Sequence, residues 1–254
     1  MACGDFGPGR MTEPLDILNA AANLMDRDLD KGSAAKSLPL EGKKVIVTSG
    51  PTHEPIDPVR FIANRSSGRQ GHAIARAAAQ AGADVVLVSG PVSIPPPVGV
   101  QLICVETAKA MLAAVQQSLP ADVFIAAAAV ADWRVERIEA SKIKKDKNGL
   151  PVLKFIENPD ILADWGKHKK NGQFLVGFAL ETDQGEDSAK LKLKRKNLDF
   201  IVLNSTMDPG AGFGTDTNKI SIFEKNGKSH IFELKSKAAV AQDITKLIMT
   251  LLPQ

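Results

Sequence analysis

The chain has 254 residues, a formal net charge of +3 and two cysteines, Cys3 and Cys104. At this length roughly 70–75% of the unfolded surface is buried on folding, so a full core needs no covalent staple; two distant cysteines without a CxxC pair argue against a disulfide framework, a zinc knuckle or dithiol redox chemistry. No apolar run reaches the roughly 20 residues of a membrane span, and the first residues lack the basic and apolar regions of a signal peptide, so a cytoplasmic protein is expected.

Residues 1–30 combine a Gly/Pro-rich start with a helically spaced apolar run, and 31–40 are small and polar, as in the tail of one unit followed by a linker to a domain over 41–254. Strand-like runs then occur at 44–49, 84–89, 100–106, 122–130, 173–178 and 199–204, with helical patterns at 68–82, 107–118 and 184–197 between several of them. Near-continuous apolar strands alternating with helices predict a three-layer, Rossmann-like α/β domain with a mostly parallel sheet. Asn226-Gly227 between two alternating runs predicts a C-terminal hairpin with a two-residue turn, followed by a helix over 236–252. Ligands of such sheets bind beyond the carboxyl ends of the strands, which directs attention to the loops after Ser49, Val130, Phe178 and Asn204.

The loop after Ser49 is unusually long. A dinucleotide fingerprint turns from strand to helix within a few residues, whereas some 17 residues separate Ser49 from Ser66 here and only Gly68 to Gly71 resembles that motif. Pro51, Pro55 and Pro58 stiffen the loop, as positioning Arg60 and Asn64 would require. Ser66, Ser67 and Gly68 open a helix, either as an ordinary N-cap or as a phosphate cradle of free N–H groups and hydroxyls.

Small residues at 126–130 end a strand ahead of Asp132; they allow a base or ribose to approach the backbone, and they equally allow tight helix packing. Asn158 to Ile161 reads as a turn starting a helix, where capping explains Asn158 or Asp160. Lys192 and Lys196 share one helix face and can converge on a polyphosphate. The basic runs at 142–147 and 190–196 suit a compact anion better than a nucleic-acid track, or else are solvated surface. Gly227-Lys228-Ser229 ends like a P-loop without its first glycine, His53-Glu54 lacks the second histidine of a zinc motif, and the absence of tyrosine excludes a short-chain dehydrogenase.

Taken in order, GPTHEPIDPVRFIANRSSGRQG, AAAAVADW, KIKK, NPDIL, VGFALET, LKRKNLDFIVLN and GAGFGTDTN resemble the phosphopantothenoylcysteine synthetases, the phosphopantothenate–cysteine ligases of coenzyme A biosynthesis, from about residue 40 onward. The resemblance puts the acyl-nucleotide-processing asparagine at Asn64 and an essential lysine at Lys142. It places the nucleotide site at Ala126, Ala127, Ala128, Asp132, Lys142, Asn158, Pro159, Asp160, Ile161, Phe178, Lys192 and Lys196. It implies CTP with Mg2+, the substrates 4'-phosphopantothenate and L-cysteine, a homodimer whose lysine loop reaches across or over the site, and neither nucleic acid nor membrane as partner.

The segment ACGDFGPGRM resembles the end of the flavin-dependent decarboxylase often fused ahead of such synthetases, with Cys3 at its proton-donating cysteine. Without the flavin-binding body, no decarboxylation is expected of this chain. For the ligase chemistry, the Ser66 helix terminus joins the lysines in neutralising anions, Arg60 orients a phosphate or carboxylate, and Asn64 donates to the acyl carbonyl. Two other readings fit the residues: a different nucleotide-dependent transferase or oxidoreductase, and a non-catalytic nucleotide-binding regulator. The residues alone choose neither CTP over ATP nor the metal ligands.

Overall fold

Short β-branched and aromatic runs separated by amphipathic helices assemble into one central sheet. The computed structural model describes residues 37–144, 151–181, 185–205, 210, 212 and 214–252. The expected N-terminal helix, Cys3 and most of the Lys/Gly-rich stretch 144–149 lie outside the described residues. The chain divides into two units after Leu38, and the larger is Pro39–Gln254.

In chain order the elements are β1 (Lys44–Ser49), β2 (His53–Pro55), β3 (Phe61–Ala63), α1 (Arg69–Gln80), β4 (Asp84–Ser89), β5 (Val100–Cys104), α2 (Ala108–Gln117) and β6 (Val123–Ala126). There follow β7 (Trp133–Val135), β8 (Phe155–Glu157), α3 (Ile161–His168), β9 (Phe174–Glu181), α4 (Gly185–Arg195) and β10 (Phe200–Ser205). The last are β11 (Thr217–Asn218), β12 (Ile220–Glu224), β13 (Ser229–Ile231), β14 (Lys235–Ser236) and α5 (Lys237–Leu251).

The eight-stranded sheet runs β13-β12-β10-β9-β6-β1-β4-β5. Strands β10 to β5 in that order are parallel, and β12 and β13 add antiparallel at one edge. From β1 the chain moves outward through β4 to β5, then returns to β6 on the other side of β1. The strand order therefore reverses between β1 and β6, which opens a crevice at their carboxyl ends.

Alternate residues of each strand enter opposite cores, as the period of two demands. Val45, Val47, Val123, Ile125, Val176 and Val202 pack under α1 and α5 against Ile74, Val240, Ile244 and Ile248. Ile46, Phe124, Leu175 and Ile201 pack on the other face against Met111 of α2, Leu162 and Trp165 of α3, and Leu193 of α4. Full burial of each such side chain contributes about 1.5–3 kcal/mol.

Three expectations change. The strand expected over 122–130 stops at Ala126, because Ala127 N–H turns back to Ile125 O at 3.2 Å and Ala129 N–H bonds to Gly50 O at 2.9 Å, carrying the chain across to the β1 loop. The proline-stiffened loop is not without regular structure: β2 and β3 pair antiparallel within it, with His53 stacked on Phe61 at 3.9 Å between ring centroids. The Asn226-Gly227 hairpin forms, but with a three-residue loop. Glu224 N–H bonds to Lys228 O at 2.9 Å and Gly227 N–H to Glu224 O at 3.0 Å, so a turn is followed by Gly227 at φ 92°, the bulged form of hairpin.

The approach of α1 to β1 is close. A methyl group on Gly71 would lie 2.5 Å from Ser49 Oγ and 3.1 Å from Ser49 Cα. Gly71→Ala is therefore expected to destabilise the fold by about 1–3 kcal/mol, read as a lower urea midpoint with unchanged slope.

Candidate functional site

The crevice between β1 and β6 widens into a cleft of about 690 Å³. Its base is set where β1 ends. The Ser49 hydroxyl donates to Gly68 O at 2.9 Å and lies 2.9 Å from His72 Nδ1, which is itself 3.1 Å from Gly68 O. Gly68, at φ 75°, caps α1 with no side-chain capping bond, whereas Thr107, Asp160 and Ser236 each cap their own helices with a side-chain oxygen. The ordinary side-chain N-cap is thus not formed at 66–68; Ser66 Oγ instead accepts from Gly68 N–H at 3.3 Å. The first-turn N–H groups of α1 stand at the cleft wall with the positive end of the helix dipole.

The β6 loop supplies the facing wall and is tied to β1 and the loop after it at three points. Ala128 N–H bonds to Thr48 Oγ1 at 3.3 Å, Ala131 N–H to Thr52 Oγ1 at 3.0 Å, and Pro51 bridges to Ala129. Asn64 Nδ2 donates to Ala129 O at 3.2 Å and to Val130 O at 3.0 Å. Both partners are carbonyls and can only accept, so the orientation of the amide is determined and both its N–H groups are engaged. Both donations of Asn64, expected from the sequence to serve an acyl carbonyl, are thus made to the β6 loop, and its Oδ1 is the end turned away from those carbonyls.

Asn158 closes the same loop from the side: its Nδ2 donates to Ala131 O at 2.8 Å, its N–H to Asp132 O at 2.8 Å, and its Oδ1 accepts from Arg134 at 3.0 Å. Asp160 caps α3 by accepting from Ala163 N–H at 2.9 Å and pairs with Lys196 at 2.6 Å. Burial pushes the Asp160 carboxyl up, but the Lys196 bond, the Ala163 N–H and the nearby Lys192 charge outweigh it and hold the pKa below the ordinary range. Lys192 Nζ donates to Phe178 O at 2.7 Å.

Asn64, Ser66, Ser67, Gly68, Ala126, Ala127, Ala128, Asp132, Asn158, Pro159, Asp160, Ile161, Phe178, Lys192 and Lys196 all line this one cleft. Arg60 and Lys142 do not. The Arg60 guanidinium is bound to Asp57 and donates to Ile143 O at 3.0 Å. Asp57, 2% exposed, also accepts from the N–H groups of Val59, Arg60 and Ile143 at 2.8, 2.9 and 3.1 Å. The Arg60 bonds lead the causes that hold its carboxyl far below the usual range, against the opposing effect of burial. Arg60 thus fastens the lysine loop to the β2–β3 segment, and Lys142 borders a separate cavity of about 530 Å³ with Glu136 and Lys154.

Sequence reasoning missed Thr48, Gln70, Asn218 and Lys237 in the cleft wall. Lys237 is 7% exposed and donates to Gly212 O at 3.0 Å and Thr215 O at 2.6 Å. Burial lowers its pKa first, and Arg69 adds to this while Asp216 opposes it. Nothing in the local pattern of a helix start distinguishes such a lysine; only its contact with the 210–216 segment does.

The fold and cleft define a doubly wound α/β domain with its main cleft at the strand-order reversal. The chain belongs to the family described as the DNA/pantothenate metabolism flavoprotein C-terminal domain, whose model matches residues 40–252. It is 47% identical over 253 residues to a protein of an unknown prokaryotic organism named cysteine/cysteine sulfinic acid decarboxylase, covering 99% of this chain and 69% of that protein. It is 44% identical over 249 residues to the coenzyme A biosynthesis bifunctional protein CoaBC of Vibrio cholerae, covering 97% of this chain and 60% of that protein. The crystal structure of the C-terminal domain of a CoaBC protein superposes with a TM-score of 0.73 at 40% identity, over 85% of this chain and 98% of that one.

Two measurements test the geometry. Burial holds the His72 pKa below the ordinary 6.5; the Gly68 carbonyl opposes this and the Arg76 charge adds to it. With the folded pKa depressed, the unfolded chain takes up the proton first. This stabilisation is complete above about 6.5 and is lost as pH falls from there through the folded value. Urea midpoints should fall from neutral to mildly acid pH, and His72→Gln should flatten that fall. Asp57→Asn should speed backbone hydrogen exchange at 139–144 while leaving α1 protected; equal protection in both proteins would remove Asp57 as the anchor of the lysine loop.

Proposed function

We propose that this chain is the phosphopantothenate–cysteine ligase domain of a bifunctional protein, joining 4'-phosphopantothenate to L-cysteine at the expense of CTP. The observation that carries this reading is one cleft with an uncapped helix N-terminus on one wall and two half-buried lysines on another. Such a cleft can hold an anion at each end, as two phosphorylated substrates require.

In the first step a carboxylate oxygen of 4'-phosphopantothenate attacks the α-phosphorus of CTP, and the bond to the β-phosphate breaks to release pyrophosphate. Lys196 and Lys192 are held by Asp160 and by Phe178 O until a polyphosphate takes their place, so positive charge is stored at the cleft without being fully desolvated. In the second step the cysteine amine attacks the acyl carbonyl, CMP leaves and the nitrogen loses a proton. Asn64 Oδ1, fixed by the two carbonyls behind it, can accept from that amine and aim it. The alanine wall lets base and ribose lie against backbone.

Magnesium would sit on the triphosphate with water and one carboxylate, and exposed Asp132 at the cleft edge fits that modest demand. Its chemistry would be to neutralise charge on the phosphate oxygens. Lys142 reaches the reaction, on this reading, from the lysine loop of a second copy. Exposed Val59, Phe61, Ile138 and Phe155 on and beside the two small hairpins support a homodimer that covers them. Among the described residues no helix is long and apolar enough to cross a membrane, and the reading places the enzyme in the cytoplasm. The chain spans 60% of the CoaBC relative, which leaves room for the decarboxylase domain as its covalent partner.

The test is pyrophosphate release with CTP or ATP, with and without 4'-phosphopantothenate. Release should need the acid substrate, and CMP release should need cysteine as well. Asn64→Asp should still release pyrophosphate and accumulate acyl cytidylate by mass spectrometry, whereas Lys142→Gln should lose the first step. Carbon dioxide release from cysteine without any nucleotide would instead favour the activity for which the 47%-identical relative is named.

A further inference from the structure

Beyond the α1 N-terminus the cleft wall holds a chain of amides that the nucleotide assignment does not use. It begins at Lys237, whose backbone carbonyl accepts from Gln70 Nε2 at 3.2 Å. A carbonyl only accepts, so the Gln70 nitrogen must face Lys237 and its Oε1 must face the other way. Asn218 then has to present its own nitrogen, and its Nδ2 lies 3.4 Å from Gln70 Oε1 and donates to Asn204 Oδ1 at 3.2 Å. The remaining atom, Asn218 Oδ1, has no hydrogen-bond partner among the described residues, on a side chain 1% exposed in the cleft wall. Turning the amide over would set its oxygen against Gln70 Oε1. Buried acceptors are seldom left without a donor, and this one is held with its lone pairs unspent.

Charge narrows the donor it can take. Lys237 Nζ, bound to two carbonyls, and Arg69 make this end of the cleft cationic, with Asp216 paired to Arg69. An ammonium group would be repelled here. A neutral hydroxyl or amide N–H on a molecule that also carries negative charge would not.

We propose that Asn218, held in one orientation by Gln70, reads the acid substrate by accepting from an uncharged donor of its pantothenoyl chain, the free hydroxyl or the amide N–H. The proposal rests on the ligase reading above, and it assigns the arm of the cleft opposite the lysine pair to the acid substrate. Cysteine, whose amine is cationic before reaction, is excluded from this position.

The experiment measures KM and calorimetric Kd for 4'-phosphopantothenate, and KM for CTP, on the wild-type chain and on Asn218→Ala. Each is repeated with an analogue lacking the free hydroxyl and with one N-methylated at the amide. Asn218→Ala should raise KM and Kd for 4'-phosphopantothenate about tenfold and leave KM for CTP within about twofold. The analogue missing the donor that is read should lose about tenfold on the wild type and nothing more on the variant, which names the donor. Unchanged affinity in Asn218→Ala, or losses for both analogues that are as large on the variant as on the wild type, overturns the proposal. If Asn218→Ala does not fold, Gln70→Leu, which frees the Asn218 amide to rotate, should show the same coupled loss. A wild-type chain that binds 4'-phosphopantothenate yet releases no pyrophosphate sinks the ligase reading instead, and the Kd cycle still decides the role of Asn218.

Discussion

The Ser49 side chain at the carboxyl end of β1 sits directly against the glycine backbone of the first turn of α1, and the rest of the site is arranged around that contact. Gly71 has no side chain because Ser49 occupies the space, and Gly68 takes a left-handed φ that an L side chain rarely adopts. The buried Ser49 hydroxyl and the buried His72 ring both meet the Gly68 carbonyl, which also accepts the His72 N–H at 3.0 Å, so neither side chain is stranded inside the fold. The first turn of the helix is thereby held in the wall of the crevice where the strand order reverses.

The second wall depends on the first. Thr48 and Thr52, at and just after the end of β1, use their hydroxyls to accept from the β6 loop, and Asn64 accepts nothing there but donates twice to it. A run of alanines could fold in many ways; these bonds select the one that leaves its backbone facing the cleft. The same economy appears at Asp160, which caps a helix, holds a lysine and lines the cleft at once.

Arg60 lies away from the cleft in which it was expected. Its charge is consumed by Asp57, and what it contributes is the position of a loop bearing lysines. The described residues of that loop, Lys142 among them, line a different cavity of the same chain.

The alternation of apolar strands and amphipathic helices was legible in the sequence because burial on two faces leaves near-continuous apolar runs in β1, β6 and β10 and a helical period between them. The motifs from Asn64 to Lys196 were legible as a family likeness, and all but Arg60 and Lys142 of the residues so marked meet in one cleft. Strand ends were not legible: Ala127 to Val130 have strand-like composition, and only hydrogen bonds to residues some 80 positions away pull them out of the sheet. The amide orientations of Asn64, Gln70 and Asn218 were equally hidden. Composition determines that an amide is present, but which of its two ends meets a ligand depends on whether a carbonyl or an N–H stands behind it, and that is decided only when distant segments come together.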